Sequence, residues 1–176
     1  MSDDLGRPEW DDYFMALCFI IAQKSIDPNT KHGCIAVNDD RSILSTGYNG
    51  PPRGCIDMNV PSTRPEKYTW TIHAESNCVI NSSRNGVSLK GSTFYITGLC
   101  CPRCLGAMIN AGVKKIIYGN VSSKCLSEED LKTIKEMMIG QSLTMRQHNC
   151  ENVPMLLGKT KDCAQKYLDA VLKEQK

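Results

Sequence analysis

His73, Glu75, Cys101 and Cys104 are the side chains whose types and spacing could do chemistry. One histidine and two cysteines supply three ligands for a tetrahedral divalent ion and leave a fourth position for water, the pattern of a catalytic zinc site. Cys101 and Cys104 are three apart, so on a helix they share a face. Pro102 between them suits the first position of that helix. A helix N-terminus favours the thiolate, the form that ligates. Glu75, two residues past His73, cannot easily point the same way on a helix and is a poor ligand. It is well placed to take a proton from water beside the metal and hand it on. The alternative is a closed site with Cys78 or Cys100 as a fourth ligand, which leaves Glu75 without a role.

The elements that must position these residues follow from pattern. A helix is expected from near Trp10, with Asp11 and Asp12 in its first turn and an apolar face of Tyr13, Leu17, Ile20 and Ile21. Gly33 to Val37 reads as a buried strand and Ile43 to Tyr48 as its hairpin partner across Asn38-Asp39-Asp40. Residues 49 to 70 form a long loop rich in proline, and a loop of that length is usually functional. A helix from about Ile72 to Ser83, a strand over Thr93 to Thr97, a short helix over Pro102 to Ala111 and a strand over Lys115 to Tyr118 follow. Ser127-Glu128-Glu129-Asp130 is a capping box that opens a helix through about Ile139, with Leu131, Ile134 and Met138 inward. Ser142 to Gln147 is the last strand, and a final helix carries Ala164, Tyr167, Leu168, Val171 and Leu172 on one face. The order predicts an α/β fold on one mixed five-stranded sheet. The crossover helix before the last strand lets the last two strands run parallel.

Composition narrows the class. The 176 residues carry a net charge of +2, too balanced for a broad basic surface that would hold polymeric nucleic acid, yet compatible with a small anionic substrate. Ten cysteines in a chain that opens Met-Ser-Asp-Asp, with no signal-like segment and no stretch able to span a bilayer, are expected to be mostly reduced, in a cytoplasmic protein without a membrane partner. No Gly-rich phosphate loop is present, so Lys24, Lys31, Arg53, Arg64, Lys67 and Arg103 all stand as candidates for phosphate. His32 and His148 read as ordinary surface or capping residues.

His-x-Glu and Cys-x-x-Cys, each at a helix start and separated by a strand, match the signature of zinc-dependent deaminases. The chain resembles the cytidine and deoxycytidylate deaminase superfamily in His73-Ala74-Glu75 and Cys101-Pro102-Arg103-Cys104. It is most similar to the deoxycytidylate (dCMP) branch in Trp10-Asp11-Asp12-Tyr13-Phe14-Met15, Asp27-Pro28-Asn29-Thr30-Lys31, Gly47-Tyr48-Asn49-Gly50, Pro52-Arg53-Gly54 and Arg64-Pro65-Glu66-Lys67-Tyr68. The likeness runs from about residue 10 to 120. Cys100 stands where the family has proline, which leaves two adjacent cysteines, and the Cys-x-x-Cys spacing favours Cys101. Cys78 replaces an alanine of the family and reads as a small buried residue.

The resemblance implies a three-layer α/β/α sandwich, one domain over residues 1 to 176, with a catalytic Zn²⁺ on His73, Cys101 and Cys104. It implies hydrolytic deamination of dCMP to dUMP and ammonia, supplying dUMP for dTMP synthesis, with Glu75 moving protons and Asn49 and Ala74 touching substrate. It further implies a hexamer activated by dCTP and inhibited by dTTP, with Mg²⁺ on the triphosphate and effector contacts at Asn29, Lys31, Gly47, Tyr48 and Gly50. The competing readings are a deaminase of dCTP, of free (deoxy)cytidine or of another nucleobase such as tRNA adenosine, and a non-catalytic, zinc-stabilised binding module.

Overall fold

Alternation along the strands sorts the core onto two faces of one sheet. Cys34, Ala36, Phe94, Ile96 and Ile116 point to one side; Ile35, Val37, Tyr95 and Ile117 point to the other. Strands buried on both faces read as continuous apolar runs, as Gly33–Val37 does, and require a helical layer on each side. The computed structural model describes residues 7–121 and 126–174 and supplies both layers. Helix α1 (Trp10–Ala22) and the start of α6 (Val153–Glu174) cover one face, and α3 (Ala74–Arg84), α4 (Pro102–Asn110) and α5 (Glu128–Met137) cover the other.

The sheet order is β2-β1-β3-β4-β5, with β1 Gly33–Val37, β2 Ile43–Tyr48, β3 Thr93–Gly98, β4 Lys115–Val121 and β5 Thr144–Gln147. β1 pairs antiparallel with both β2 and β3, whereas β3, β4 and β5 run parallel. The expected mixed sheet with a parallel final pair is therefore present, and α5 is the crossover that permits it. Its capping box is formed: Ser127 accepts from the Asp130 N–H, and the Asp130 carboxylate accepts from the Ser127 N–H at 2.9 Å. The long loop holds a 3₁₀ turn over Asp57–Asn59 and the short helix α2 (Lys67–Trp70).

Three expectations are corrected. The buried side of α1 is Phe14, Met15, Cys18 and Ala22, while Tyr13 and Ile20 are exposed, since the sheet receives the stripe one position away from the one chosen. Leu131 is exposed on α5, where Ile134 alone is fully buried and Met138 only packs at the margin. Ala164 is exposed on α6, and the side chains of the expected face at Tyr167, Leu168, Val171 and Leu172 lie outside those described. α6 instead docks through Val153, Leu156 and Leu157.

Asp11 and Asp12 also do more than favour a helix start. Asp12 is 6% exposed; it accepts from His148 at 2.7 Å and from Asn152 at 3.2 Å, tying α1 to the segment after β5. Asp11 accepts from Tyr95 Oη at 2.8 Å and pairs with Arg146 on β5. His148 is thus a cross-link between elements and not a surface residue, a pairing 136 positions apart that spacing cannot reveal. No helix among the described residues is long and apolar enough to cross a membrane.

Candidate metal centre and substrate cleft

The metal-ligand residues sit where two helices begin, on the same side of the sheet. Strand β3 ends at Gly98, and Leu99 and Cys100 lead into α4; His73 leads into α3. His73 and Cys101 are the N-cap residues of α3 and α4, both with extended backbone (ψ 156° and 163°). His73 is thus the cap and not the second helical residue, as a start near Ile72 would make it. Neither side chain caps its own helix, the usual task at that position. They turn toward each other. The His73 Nδ1 lies 3.5 Å from the Cys101 Sγ and 3.5 Å from the Cys104 Sγ, and Pro102 occupies the first turn of α4.

These distances test whether zinc fits. With Zn–S near 2.3 Å and Zn–N near 2.0–2.1 Å, a tetrahedral angle separates a sulfur from a nitrogen by about 3.5 Å. The observed spacing matches, and the three ligand atoms lie within 4.8 Å of one another. Charge agrees as well. Cys104 hydrogen-bonds to Cys101 and, with His73, draws the Cys101 thiol down to about 4, while the same bond and burial push Cys104 up. The thiolate form is thus favoured at Cys101, which sits at the start of α4 where the helix dipole is positive. The hydrogen bond that the His73 ring donates to the Cys101 sulfur raises the His73 pKa. Ser76 Oγ stands 3.3 Å from Cys104 Sγ and holds the sulfur from the α3 side.

Both candidate fourth ligands are elsewhere. Cys100 and Cys78 are fully buried in the apolar cluster beneath the helices, and burial pushes the Cys100 thiol up. Among the described residues, His73, Cys101 and Cys104 are the cluster able to hold a metal ion. The residues favoured by spacing are those that geometry brings together.

Glu75 is 8% exposed and lines the same cleft as His73 and Cys101. Burial raises its carboxyl above the ordinary range, against the pull of its own backbone N–H and of His73. A carboxyl raised by burial exchanges protons near neutral pH more readily than an exposed one.

The cleft itself is built largely by residues that pattern reading did not assign to it. One wall is the Asp27–Lys67 ion pair at 2.7 Å, with side chains only 11% and 8% exposed. Asp27 also accepts from the Asn29 and Thr30 N–H groups, at 2.9 and 3.0 Å. Tyr68, Thr71 and Leu99 complete that side. Asn49 lines the cleft at 4% exposure; its Oδ1 accepts from the His32 N–H at 2.7 Å and its Nδ2 donates to the Thr30 carbonyl at 2.8 Å. Ala74 lies beside it, and His32, read from sequence as an ordinary residue, is part of the lining. The quoted segment Arg64-Pro65-Glu66-Lys67-Tyr68 was the available signal for this wall.

The phosphate candidates separate. Lys67 is neutralised by Asp27, Lys31 Nζ donates to the Ser25 carbonyl at 2.6 Å, and Arg53 donates to Asn81. Lys24 and Arg103 are exposed and outside the cleft lining. Arg64 lines the cleft, lies over the Tyr68 ring at 5.3 Å, and has no carboxylate partner among the described residues.

The residues expected to meet an effector are more scattered. Asn29 and Lys31 are exposed in the turn before β1, and Tyr48 is 38% exposed at the end of β2. Gly47 faces α3: a Cβ there would lie 2.2 Å from the Ala74 carbonyl oxygen and 2.5 Å from the Cys78 nitrogen, so the close approach it permits is that of the helix. Gly50 exchanges hydrogen bonds with Ile72 and lines a second cavity, which shares Asp27, Asn49, Lys67 and Thr71 with the first.

Comparison with known proteins agrees with this geometry. Residues 8–120 match the family model described as "Cytidine and deoxycytidylate deaminase zinc-binding region". Over 116 residues the chain is 39% identical to the deoxycytidylate deaminase of Homo sapiens, a match covering 62% of this chain and 64% of that one. It is 32% identical over 150 residues to a probable deoxycytidylate deaminase of Drosophila melanogaster, covering 79% and 72%. The chain thus matches less than two thirds of the length of the human relative. Among solved structures it is similar to the dCMP deaminase of cyanophage S-TIM5 in complex with dCMP and dUMP, with a TM-score of 0.63 and 27% identity over 81% of this chain and 98% of that one. With the family match spanning residues 8–120 and the His-Cys-Cys triad assembled at two helix starts, the chain belongs to the cytidine and deoxycytidylate deaminase zinc-binding family.

Proposed function

We propose that this protein catalyses hydrolytic deamination of dCMP to dUMP and ammonia, supplying dUMP for dTMP synthesis. The single observation that carries the reading is the placement of buried Glu75 in the same cleft as His73 and Cys101, next to three ligands at zinc spacing. When bound by His73, Cys101 and Cys104, zinc supplies the Lewis acidity that brings the pKa of water toward neutrality. Glu75 accepts the proton of the attacking water and passes it to the pyrimidine ring nitrogen. As the C4–N bond breaks, Glu75 carries the second water proton to the departing amino group, so water and dCMP become dUMP and ammonia. The low exposure of Glu75 excludes bulk water from these transfers.

In this reading Asn49 and Ala74 meet the base and sugar and Arg64 meets the 5′-phosphate; their positions in the cleft lining support it. Ammonia release from dCMP, dCTP, deoxycytidine and cytidine, compared side by side, tests the reading. Preference for dCMP in kcat/KM is expected; equal turnover of deoxycytidine would replace it with a nucleoside deaminase, and no turnover of any of the four would leave a zinc-stabilised binding module.

The proposal extends to regulation by dCTP and dTTP, with Mg²⁺ on the triphosphate, in a hexamer. Its support is the second cavity beside the substrate cleft, which shares four residues with it, so occupancy of one can be felt in the other. Gly50 lines that cavity, and Asn29 and Lys31 lie on the turn that follows its Asp27. Sigmoidal dCMP kinetics that dCTP removes and dTTP deepens are expected; hyperbolic kinetics indifferent to both would remove the regulatory part alone. A pair of thiolate ligands needs a reducing compartment, which supports a cytoplasmic location.

A further inference from the structure

Thr97 is fully buried at the end of β3, and its hydroxyl oxygen accepts from the Gly33 N–H at 3.3 Å. The hydroxyl proton must go to another acceptor, and the His32 Nδ1 lies 3.0 Å away. A buried hydroxyl without an acceptor is costly, so the bond runs from Thr97 to His32. An imidazole that accepts at Nδ1 carries its proton at Nε2. The ring is held firmly, since the His32 backbone N–H is bound by Asn49 and the ring edge packs over Gly98. Among the described residues no buried side-chain nitrogen or oxygen lacks a partner and His32 Nε2 makes no hydrogen bond, so Nε2 is accessible there. His32 lines the substrate cleft.

Its position along the cleft is set by its neighbours. Its backbone N–H is bound by Asn49 and its ring by Thr97 on β3, the strand that leads to Cys101, which sets it beside Asn49 in the cleft. A pyrimidine whose C4 faces the metal ligands and Glu75 would lay its sugar along the stretch that Asn49 and His32 line. We infer that His32 is a substrate-binding residue whose Nε2–H donates to the 3′-hydroxyl oxygen of the nucleotide sugar, with Thr97 as the residue that sets its tautomer. The inference rests on the proposed deamination reading for the orientation of the nucleotide. It assigns a function to the one cleft-lining histidine outside the metal triad among the described residues.

The test is calorimetric titration of the zinc-loaded full chain with dCMP and with its 3′-deoxy analogue, every protein carrying Glu75→Ala so that the nucleotide is bound and not turned over, with wild type denoting the chain otherwise unchanged. Wild type is expected to bind dCMP roughly 3–10-fold more tightly, the fold-change of one neutral hydrogen bond. His32→Phe should bind both equally, and His32→Gln, which can place an amide N–H near the Nε2 position, should recover part of the preference. Thr97→Val, which frees the tautomer, should show a reduced preference, and it stands in should His32→Phe fail to fold. Zinc content and urea midpoints establish that each variant is intact. A preference for dCMP undiminished in His32→Phe, or in Thr97→Val where the former does not fold, overturns the inference and leaves the deamination reading standing. Wild-type protein that binds neither nucleotide overturns both. Nucleotide that binds with the expected His32-dependent preference but is not deaminated by the protein with Glu75 intact overturns the proposed function and supports the contact.

Discussion

Glu75 and Cys104 separate two tasks that share one small volume. Glu75 is no ligand in this geometry, so Glu75→Ala should keep zinc at one ion per chain while kcat falls by about 10²–10⁴-fold, the usual contribution of a general acid–base group. Metal analysis and steady-state kinetics on one preparation check this, and a variant within a few-fold of wild type would end the role given to Glu75. Cys104 is buried at the third position of α4 with Ser76 against its sulfur. Cys104→Ala should lose zinc and also lower the denaturation midpoint, because metal affinity held by folded residues is itself folding free energy. Full zinc retention would contradict the ligand assignment. Removing zinc from wild type with a chelator should lower the midpoint in the same direction.

At the scale of elements, the site depends on how closely α3 lies on β2. Gly47 allows that approach, since any side chain would meet the Ala74 and Cys78 backbone at under 3.0 Å. Gly47→Ala must push the helix outward, and overpacking of this kind costs about 1–3 kcal/mol or more. Because the helix begins directly after His73, the same substitution should weaken zinc binding although residue 47 touches no ligand. Urea denaturation with parallel zinc titration reads both effects. Gly50→Ala is the control: a Cβ there meets only the Tyr48 ring at 3.5 Å, an ordinary contact, so stability should change little. Equal losses in the two variants would argue against helix approach as the cause.

For the whole molecule, acid sensitivity follows from carboxylates that join distant segments. Burial opposes ionisation of Asp27, but the Lys67 ammonium and the Asn29 and Thr30 N–H groups outweigh it and hold its carboxyl below the ordinary value of 3.8. For Asp11, burial is likewise outweighed, by Arg146 and Tyr95. A carboxyl depressed in the folded state binds protons less readily than in the unfolded chain. Its contribution is therefore complete above the unfolded value and is lost as pH falls from about 3.8 through the folded value. Asp27→Asn should lower stability at pH 7, and its difference from wild type should shrink as pH falls below about 4. Denaturation midpoints across pH 2 to 7 for the two proteins test this. A constant difference would show that Asp27 acts through shape and not charge.

The sequence by itself determined what is local. A Cys-x-x-Cys with proline at the helix start places two sulfurs on one face, a capping box opens α5, and a crossover helix makes the last strands parallel; each depends on residues a few positions apart or on chain connectivity. His73 was legible as the third ligand because it too opens a helix. Only the tertiary structure decided the rest. It buried Phe14 and Cys18 where Leu17 and Ile20 were expected, because an apolar helix offers several stripes and the sheet selects one. It left Leu131 in water for the same reason. It joined Asp27 to Lys67 and Asp12 to His148, pairs 40 and 136 positions apart, and it brought His32 to Thr97 by pairing β1 with β3. The cleft is the sum of such meetings: its walls come from segments that converge at one end of the sheet, and sheet pairing, not sequence spacing, decides which residues meet there.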